Sequence, residues 1–407
     1  PFERFDLSAL PEAEQSTVIE ETAAKLQSAL NIEEGPLVRA ALFDLGPVAR
    51  ARLFIVAHHL VVDGVSWRIL LEDLESFYSQ LADKGDVQPL PKTTSFQQWA
   101  RLLEAKASSG AFRKELYYWN KIADAWVSPF PLDYPADPEQ FAELNTIESA
   151  DDVIVTLSAT DTQTLLQDVP AVYRTRIDEV LLTALAAALE SWTGSSQLLL
   201  HLEGHGREDI IEEADLSRTV GWFTSIYPVL IDLGFEPSVS SRLMAVKEQL
   251  RGIPNRGIGY GMLRYFDEET LLSQKLAPLP PIEISYNYLG QMGSSQQSAG
   301  RFSTAPETGG LSLDPANSRE HLLDVAGLIA DNHLRMTFTF SRQLHRKTTI
   351  QQVADDFKAA LHEIIAGSRQ SAEDSHFTPS DFEEAGLNQK ELDLILAKIS
   401  GRRNNKQ

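Results

Sequence analysis

Cysteine is absent from the 407 residues, which excludes a disulfide framework, a thiolate nucleophile and a thiolate metal site. The same absence suits a reducing compartment, and a cytoplasmic protein is expected. Basic residues are scarce. With 36 Lys and Arg against 58 Asp and Glu, the formal charge is -22, and no general surface for nucleic-acid phosphates is expected. The one basic cluster is the terminal GRRNNKQ. Long apolar runs are lacking as well. VLLTALAAALESW, residues 180–192, is the most apolar stretch and is too short to span a bilayer, so no membrane partner is expected. The opening PFERFDLSALPEAEQ has no signal-peptide pattern.

What is present is a hydrophobic share of 43%, enough for a sizeable core in two domains or one two-lobed unit. RLFIVAHHLVV, residues 52–62, reads as a buried strand, and Asp63 and Gly64 supply a turn after it. A helix follows, with Ser66 as its expected N-cap, Leu70, Leu74, Phe77 and Leu81 at helical spacing, and Gly85 as its end. His58 and His59 therefore fall where a strand gives way to a turn. Pro129, Pro131, Pro135 and Pro138 mark an inter-lobe linker over 129–152, between an amino-terminal lobe, 1–128, and a carboxy-terminal lobe, 153–380, with a helix and tail over 381–407.

The second half opens with the strand DVIVTLS and a helix capped by Ser158 and Asp161 that is expected to end at Pro170. A longer helix follows, with Ile177, Val180, Leu181, Ala184, Leu185, Ala188 and Trp192 along its apolar stripe and Gly194 as its stop. QLLLHLEGHGRE, residues 197–208, reads as a strand running into a glycine-broken loop, and 293–320 as a long Gly-, Ser- and Pro-rich loop. LRMTFTFSR is a late strand, with the helix TTIQQVADDFKAALHEIIAG behind it. The fold class is α/β in the broad sense, α+β, without a short repeat.

Five stretches invite chemistry. His58 and His59 beside Asp63 place imidazoles where a carboxylate can orient or charge them, although core histidines bonded to carbonyls are the blander reading. Strand alternation allows at most one of the pair to face a given cavity. His201, Glu203 and His205 alternate in a spacing that a metal accepts, but Gly204 and Gly206 flank His205 and break the strand, so no metal is expected. Glu203 after an apolar strand is solvated, paired with Arg207 or Arg218, or kept for proton transfer. RTVGWFTSIYPVLI and IPNRGIGYGMLRY interleave aromatics with glycines, which for Phe223, Ile226 and Tyr227 means packing. In EISYNYLGQM, Asn287 and Tyr288 form a polar pair that can donate to a ligand oxygen.

Together these stretches resemble the epimerization domains of nonribosomal peptide synthetases. His58 to Gly64 matches that family's His-His-x-x-x-Asp-Gly motif, Glu203 to Glu208 matches Glu-Gly-His-Gly-Arg-Glu, and Arg218 to Thr224 matches Arg-Thr-Val-Gly-Trp-Phe-Thr. Gly257, Gly259, Tyr260 and Gly261 match Gly-x-Gly-Tyr-Gly, and Asn287 to Gly290 match Asn-Tyr-Leu-Gly. The histidine motif is shared with condensation domains; Glu203 to Glu208 and Arg218 to Thr224 distinguish the epimerases. FTPSDFEEAGLNQKELDLIL is similar to the family's closing segment. The family's opening Pro-Ile-Gln-x-Trp-Phe is not in this sequence, and the first lobe is expected to be incomplete at its start.

The resemblance implies two chloramphenicol acetyltransferase-like lobes in a V, with an active-site tunnel between them. It implies inversion at Cα, from L to D, of an aminoacyl or peptidyl thioester borne on the 4'-phosphopantetheine arm of a carrier domain, with no cofactor bound by this chain itself. The implied partners are an upstream peptidyl carrier domain and a downstream condensation domain. His59 and Glu203 become the catalytic pair; His58, Asp63, Gly64, His205 and Arg207 support or orient; Asn287, Tyr288 and Trp222 hold the oxyanion or position substrate. Peptide-bond formation between two carrier-bound substrates is the alternative enzyme reading, and a catalytically silent carrier-docking scaffold is the non-enzymatic one.

Overall fold

Arg52–Ala57 carries the strand formers Phe54, Ile55 and Val56, and Val38–Asp44 pairs antiparallel with it, Val38 opposite Ala57. The computed structural model to which they belong describes residues 2–234, 236, 238–266, 282–291, 302–370 and 376–404. Over these residues the chain forms two compact units. The first takes in Pro1–Lys106, His205–Thr224 and Ser294–Asn317, and the second Ala107–Gly204, Ser225–Gly293 and Ser318–Gln407.

In the first unit, strand β1 (Phe2–Asp6) lies parallel to β2 (Val38–Asp44), which pairs with β3 (Arg52–Ala57) in the order β1-β2-β3. A parallel pair needs a crossover, and helix α1 (Glu12–Ser28) supplies it, burying Ile19 and Leu26 against Ala41, Phe43 and Leu45. Helices α2 (Gly64–Lys84) and α3 (Phe96–Ser108) follow. Gly85 ends α2 in the left-handed conformation at φ 72°, as the sequence indicates.

The second unit is built on a six-stranded sheet. After α4 (Leu116–Ala123) and the short α5 (Phe141–Leu144), the order is β4 (Ala150–Thr156), α6 (Ala159–Tyr173), α7 (Ile177–Thr193), β5 (Gln197–Gly204), β6 (Ser225–Asp232), α8 (Val239–Arg251) and α9 (Ile258–Tyr265). Then come β7 (Ile284–Gln291), β8 (Leu323–Ala330), β9 (His333–Ser341), α10 (Lys347–Gln370) and α11 (Gln389–Asn404). The strand order is β4-β9-β8-β7-β5-β6, with β5, β7 and β8 mutually parallel. Helix α7 is buried almost all round, from Val180 to Leu189, between neighbouring helices and the sheet. That position explains its uniformly apolar sequence.

Register gives the sheet two chemical faces. Leu202, Tyr286, Val325 and Phe338 lie in line across four strands, and Phe338 meets Phe357 of α10. His201, Ser285, Asp324, Thr339 and Asp152 form the adjacent row and point the other way. One face is core. Its reverse is polar.

Several sequence expectations need correction. The strand read as continuing to Val62 stops at Ala57, because His58 turns out of the ladder into a 3-10 turn, His59–Val61. It is half-buried rather than buried. The N-cap of α2 is Asp63, not Ser66, whose N–H donates to the Asp63 carboxylate at 2.7 Å. Pro170 lies inside α6, which runs on to Tyr173 and ends at Arg174, φ 55°. Helix α10 passes through Gly367 to Gln370, and the glycine there makes room for the Tyr173 hydroxyl, which a Cβ would approach to 3.0 Å. The proline-rich stretch is irregular, yet Phe130 is buried against Trp192 and its N–H donates to Glu283. Of the long loop, 302–320 is described and irregular; residues 293–301 lie outside the described residues, as do Met292 and the end of the basic tail, 405–407.

Candidate active site

In the first unit the histidine pair is divided by the turn rather than by strand alternation. His58 keeps its N–H on the Leu37 carbonyl at 2.8 Å, while its Nδ1 accepts from the Leu60 N–H at 3.2 Å. His58 is thereby a cap that shapes the turn. His59 is the exposed member, and its ring meets the edge of Trp222 with centroids 5.3 Å apart.

Asp63 faces inward, 6% exposed, and caps α2. Arg207 holds both its carboxylate oxygens from one nitrogen, at 3.0 and 3.1 Å, and donates to the Ser66 hydroxyl at 3.0 Å. The same guanidinium donates to the carbonyls of Leu216 and Thr219 and lies over the Phe223 ring at 3.9 Å. Ser66 exchanges two hydrogen bonds with the backbone of Gly221. Burial works to raise the Asp63 pKa, but the Ser66 N–H and hydroxyl, the Arg207 charge and the Phe223 N–H outweigh it, and the carboxyl sits below its ordinary value. Residues 205–224 are thus pinned to the start of α2, which sets Trp222 beside His59.

Two positions in this segment, 205–224, require glycine. Gly206 has φ +65°, and a Cβ there would lie 1.6 Å from the Phe223 carbonyl oxygen. A Cβ on Gly221 would enter the Phe96 ring. Gly64 differs, since a Cβ there meets nothing within 4 Å. His205 is half-exposed; its Nδ1 accepts from the Arg207 N–H at 3.0 Å and its Nε2 is 3.3 Å from Glu208.

In the second unit Glu203 is the penultimate residue of β5, on the polar face. Asn287, on the adjacent parallel strand β7, donates its amide N–H to the Glu203 carboxylate at 2.5 Å. The amide orients the carboxylate. Tyr288, paired in the sequence reading with Asn287, follows Tyr286 onto the opposite side of the sheet, where both feel the charge of Asp178 on α7. Burial pushes the Tyr288 hydroxyl up to about 12. The two side chains therefore lie on opposite faces of the sheet. Arg207 and Arg218, weighed as partners for Glu203, are engaged with Asp63 and with Glu72 and Asp73 respectively.

The glycine-rich motif of α9 is packing. A Cβ on Gly257 would strike the Tyr227 ring, and one on Gly259 the carboxylate of buried Glu115, which accepts from Trp119 Nε1 and Asn255 Nδ2.

Two sets of residues carry no local sequence signal for the contacts they make. Ser66 and Phe223, which complete the Asp63–Arg207 contact, are ordinary residues until the loop folds onto α2. On the polar sheet face His201 Nδ1 lies 2.8 Å from His321 Nε2, and Asp324 backs His321 at 3.3 Å. Burial, His321 and Arg264 bring His201 down to about 4, and Asp324 is brought to about 2 because bonds from His321, Ser285 and Arg319 outweigh its burial. Among the described residues the set that could hold a metal is His201, Glu320 and His321, not the sequence-derived His201, Glu203 and His205.

Comparison with known proteins gives one consistent result. Residues 1–387 match the family described as the condensation domain. One component of the linear gramicidin synthase of Brevibacillus parabrevis is 47% identical over 397 residues, covering 97% of this chain and 5% of that protein. Another component of that synthase, from the same organism, is 44% identical over 97% of this chain and 8% of its own length. The chain thus spans a small part of these relatives. A crystal structure of the epimerization domain from the third module of tyrocidine synthetase B is similar at a TM-score of 0.79 and 35% identity, covering 91% of this chain and 80% of that one.

Proposed function

The chain belongs to the condensation-domain family of nonribosomal peptide synthetases, and from that premise we propose that it epimerises the Cα of an aminoacyl or peptidyl thioester presented on the 4'-phosphopantetheine arm of a carrier domain. The observation that supports the reading best is the Glu203–Asn287 pair: a carboxylate at a strand end, oriented by an amide from the next strand. Amine attack on a thioester needs one base. Inversion of a stereocentre needs proton removal on one face and delivery on the other, hence a second acid/base group. His59 and Glu203 are the two such groups. A thioester acidifies its Cα–H, and the removed proton leaves an enolate whose oxygen needs a donor; Asn287 is assigned that neighbourhood and Tyr288 is not. His58, Asp63, Arg207 and His205 shape and hold the turn and loop that present His59 and Trp222. The likeness to a solved epimerization domain supports the same reading.

The partners that follow are a peptidyl carrier domain upstream and a condensation domain downstream in a multidomain synthetase. Among the described residues no helix is long and apolar enough to cross a membrane. Condensation is the second reading, favoured by the match to the condensation family and the histidine motif common to it. Mass spectrometry of a loaded carrier incubated with the protein in heavy water separates the two. Deuterium entering Cα, and failing to do so with His59→Ala and with Glu203→Gln, is the expected result. Peptide-bond formation from two loaded carriers without exchange at Cα would replace epimerization by condensation, and carrier binding with neither reaction would leave a scaffold.

A further inference from the structure

We propose that His201, His321 and Glu320 form a binding site for one divalent transition-metal ion, with zinc the natural occupant of a two-imidazole, one-carboxylate set. His201 Nδ1 and His321 Nε2 are 2.8 Å apart, and their rings stand at 88° with centroids at 5.1 Å. Two ring nitrogens at that distance share one proton. A metal ion takes the place of that proton and draws on both lone pairs with a small outward shift of either ring.

Two further groups go beyond what a hydrogen-bonded histidine pair needs. The Glu320 carboxylate lies with both nitrogens within 4.8 Å, and it is exposed, so it adds a negative charge and leaves the fourth position open to water. Behind the pair, Asp324 sits 3.3 Å from His321 Nδ1. It holds the proton on that nitrogen and leaves Nε2 as the ligand, the usual second layer of a histidine metal site. Asp324 is fixed in turn by the Ser285 hydroxyl at 2.5 Å and Arg319 at 2.6 Å.

The charges that oppose a cation here are Arg319, matched by Asp324, and Arg264, which donates to the Tyr260 hydroxyl at 2.9 Å. The donor set disfavours magnesium and calcium, which select oxygen, and without thiolates it disfavours copper(I). All three ligands belong to the second unit. A bound ion therefore ties the segment entering β8 to β5, two residues before Glu203, whatever reaction Glu203 serves.

The test is a zinc titration of the untagged full chain against a chromophoric chelator, with cobalt(II) as the spectroscopic probe. One equivalent of zinc and visible ligand-field bands with cobalt are expected. His201→Gln, which can still donate to His321, and His321→Ala should each abolish both signals. Asp324→Asn should weaken zinc by about 10–100-fold, and His362→Ala, which removes an imidazole of α10 that faces Asp161 at 3.8 Å, should change nothing. Glu320→Gln alters an exposed residue and should leave the fold intact, which circular dichroism checks; it should weaken binding and change the cobalt spectrum. Failure of the wild type to compete with the chelator, or binding unaltered in both His201→Gln and Glu320→Gln, overturns the site.

Discussion

Asn287 donates to Glu203 across a parallel strand pair at 2.5 Å, while its neighbour Tyr288 points through the sheet to the other side. Adjacent residues of one motif thus have separate duties. A hydrogen bond to a charged group is worth about 1.5–3 kcal/mol, or roughly ten- to hundredfold in rate. Asn287→Ala should lower Cα exchange by that factor. Tyr288→Phe should lower it by less than the tenfold that about 1.4 kcal/mol represents. Exchange rates on one loaded carrier compare them directly, and equal losses would sink the division.

The buried Asp63–Arg207 pair should matter chiefly to stability. Asp63→Ala leaves Arg207, whose side chain is 9% exposed, without its counter-charge, and removal of one partner of such a pair costs about 3–5 kcal/mol. Adding Arg207→Met should recover part of the loss, and a double-mutant cycle in urea measures how much. The pH dependence has a defined sign. Because the folded pKa lies below 3.8, the contribution is complete above that value and is lost as pH falls through the folded one.

Why some of this is legible in the sequence and some is not follows from range. Helix α7 and its stop at Gly194 come from local periodicity and one glycine at φ 71°, and the observed element runs Ile177–Thr193. The N-cap of α2 is misplaced by sequence because Ser66 and Asp63 both suit a cap, and the choice is made by Arg207 and Phe223, more than 140 residues away. The His201–His321 contact spans 120 residues and depends on which strand lies beside β5. Tyr288 joins Asn287 by adjacency alone, which a strand turns into opposition.

Glycine substitutions separate packing from presentation. Gly206→Ala combines a positive φ with a Cβ 1.6 Å from a backbone oxygen that has no freedom to swing away. Its cost should reach about 3 kcal/mol or more. Gly64→Ala opens a helix into empty space, and should stabilise by up to about 1 kcal/mol. Urea midpoints check both. A Gly64→Ala protein that folds normally and still loses exchange would mean that this glycine makes room for substrate.

Acid sensitivity of the metal-free protein should trace to His201. Its pKa falls from 6.5 to about 4 on folding, through burial first, then His321 and Arg264. Between those values the unfolded chain holds the proton and the folded one does not, so stability is complete above 6.5 and declines as pH falls to 4. At about 1.4 kcal/mol per unit the decline amounts to about 3–3.5 kcal/mol. His345, buried and also lowered, adds to the same slope. His201→Gln should therefore flatten the loss without abolishing it. Denaturation midpoints at pH 7 and pH 5 measure the difference, and a mutant as acid-sensitive as the wild type would move the cause away from the histidine pair.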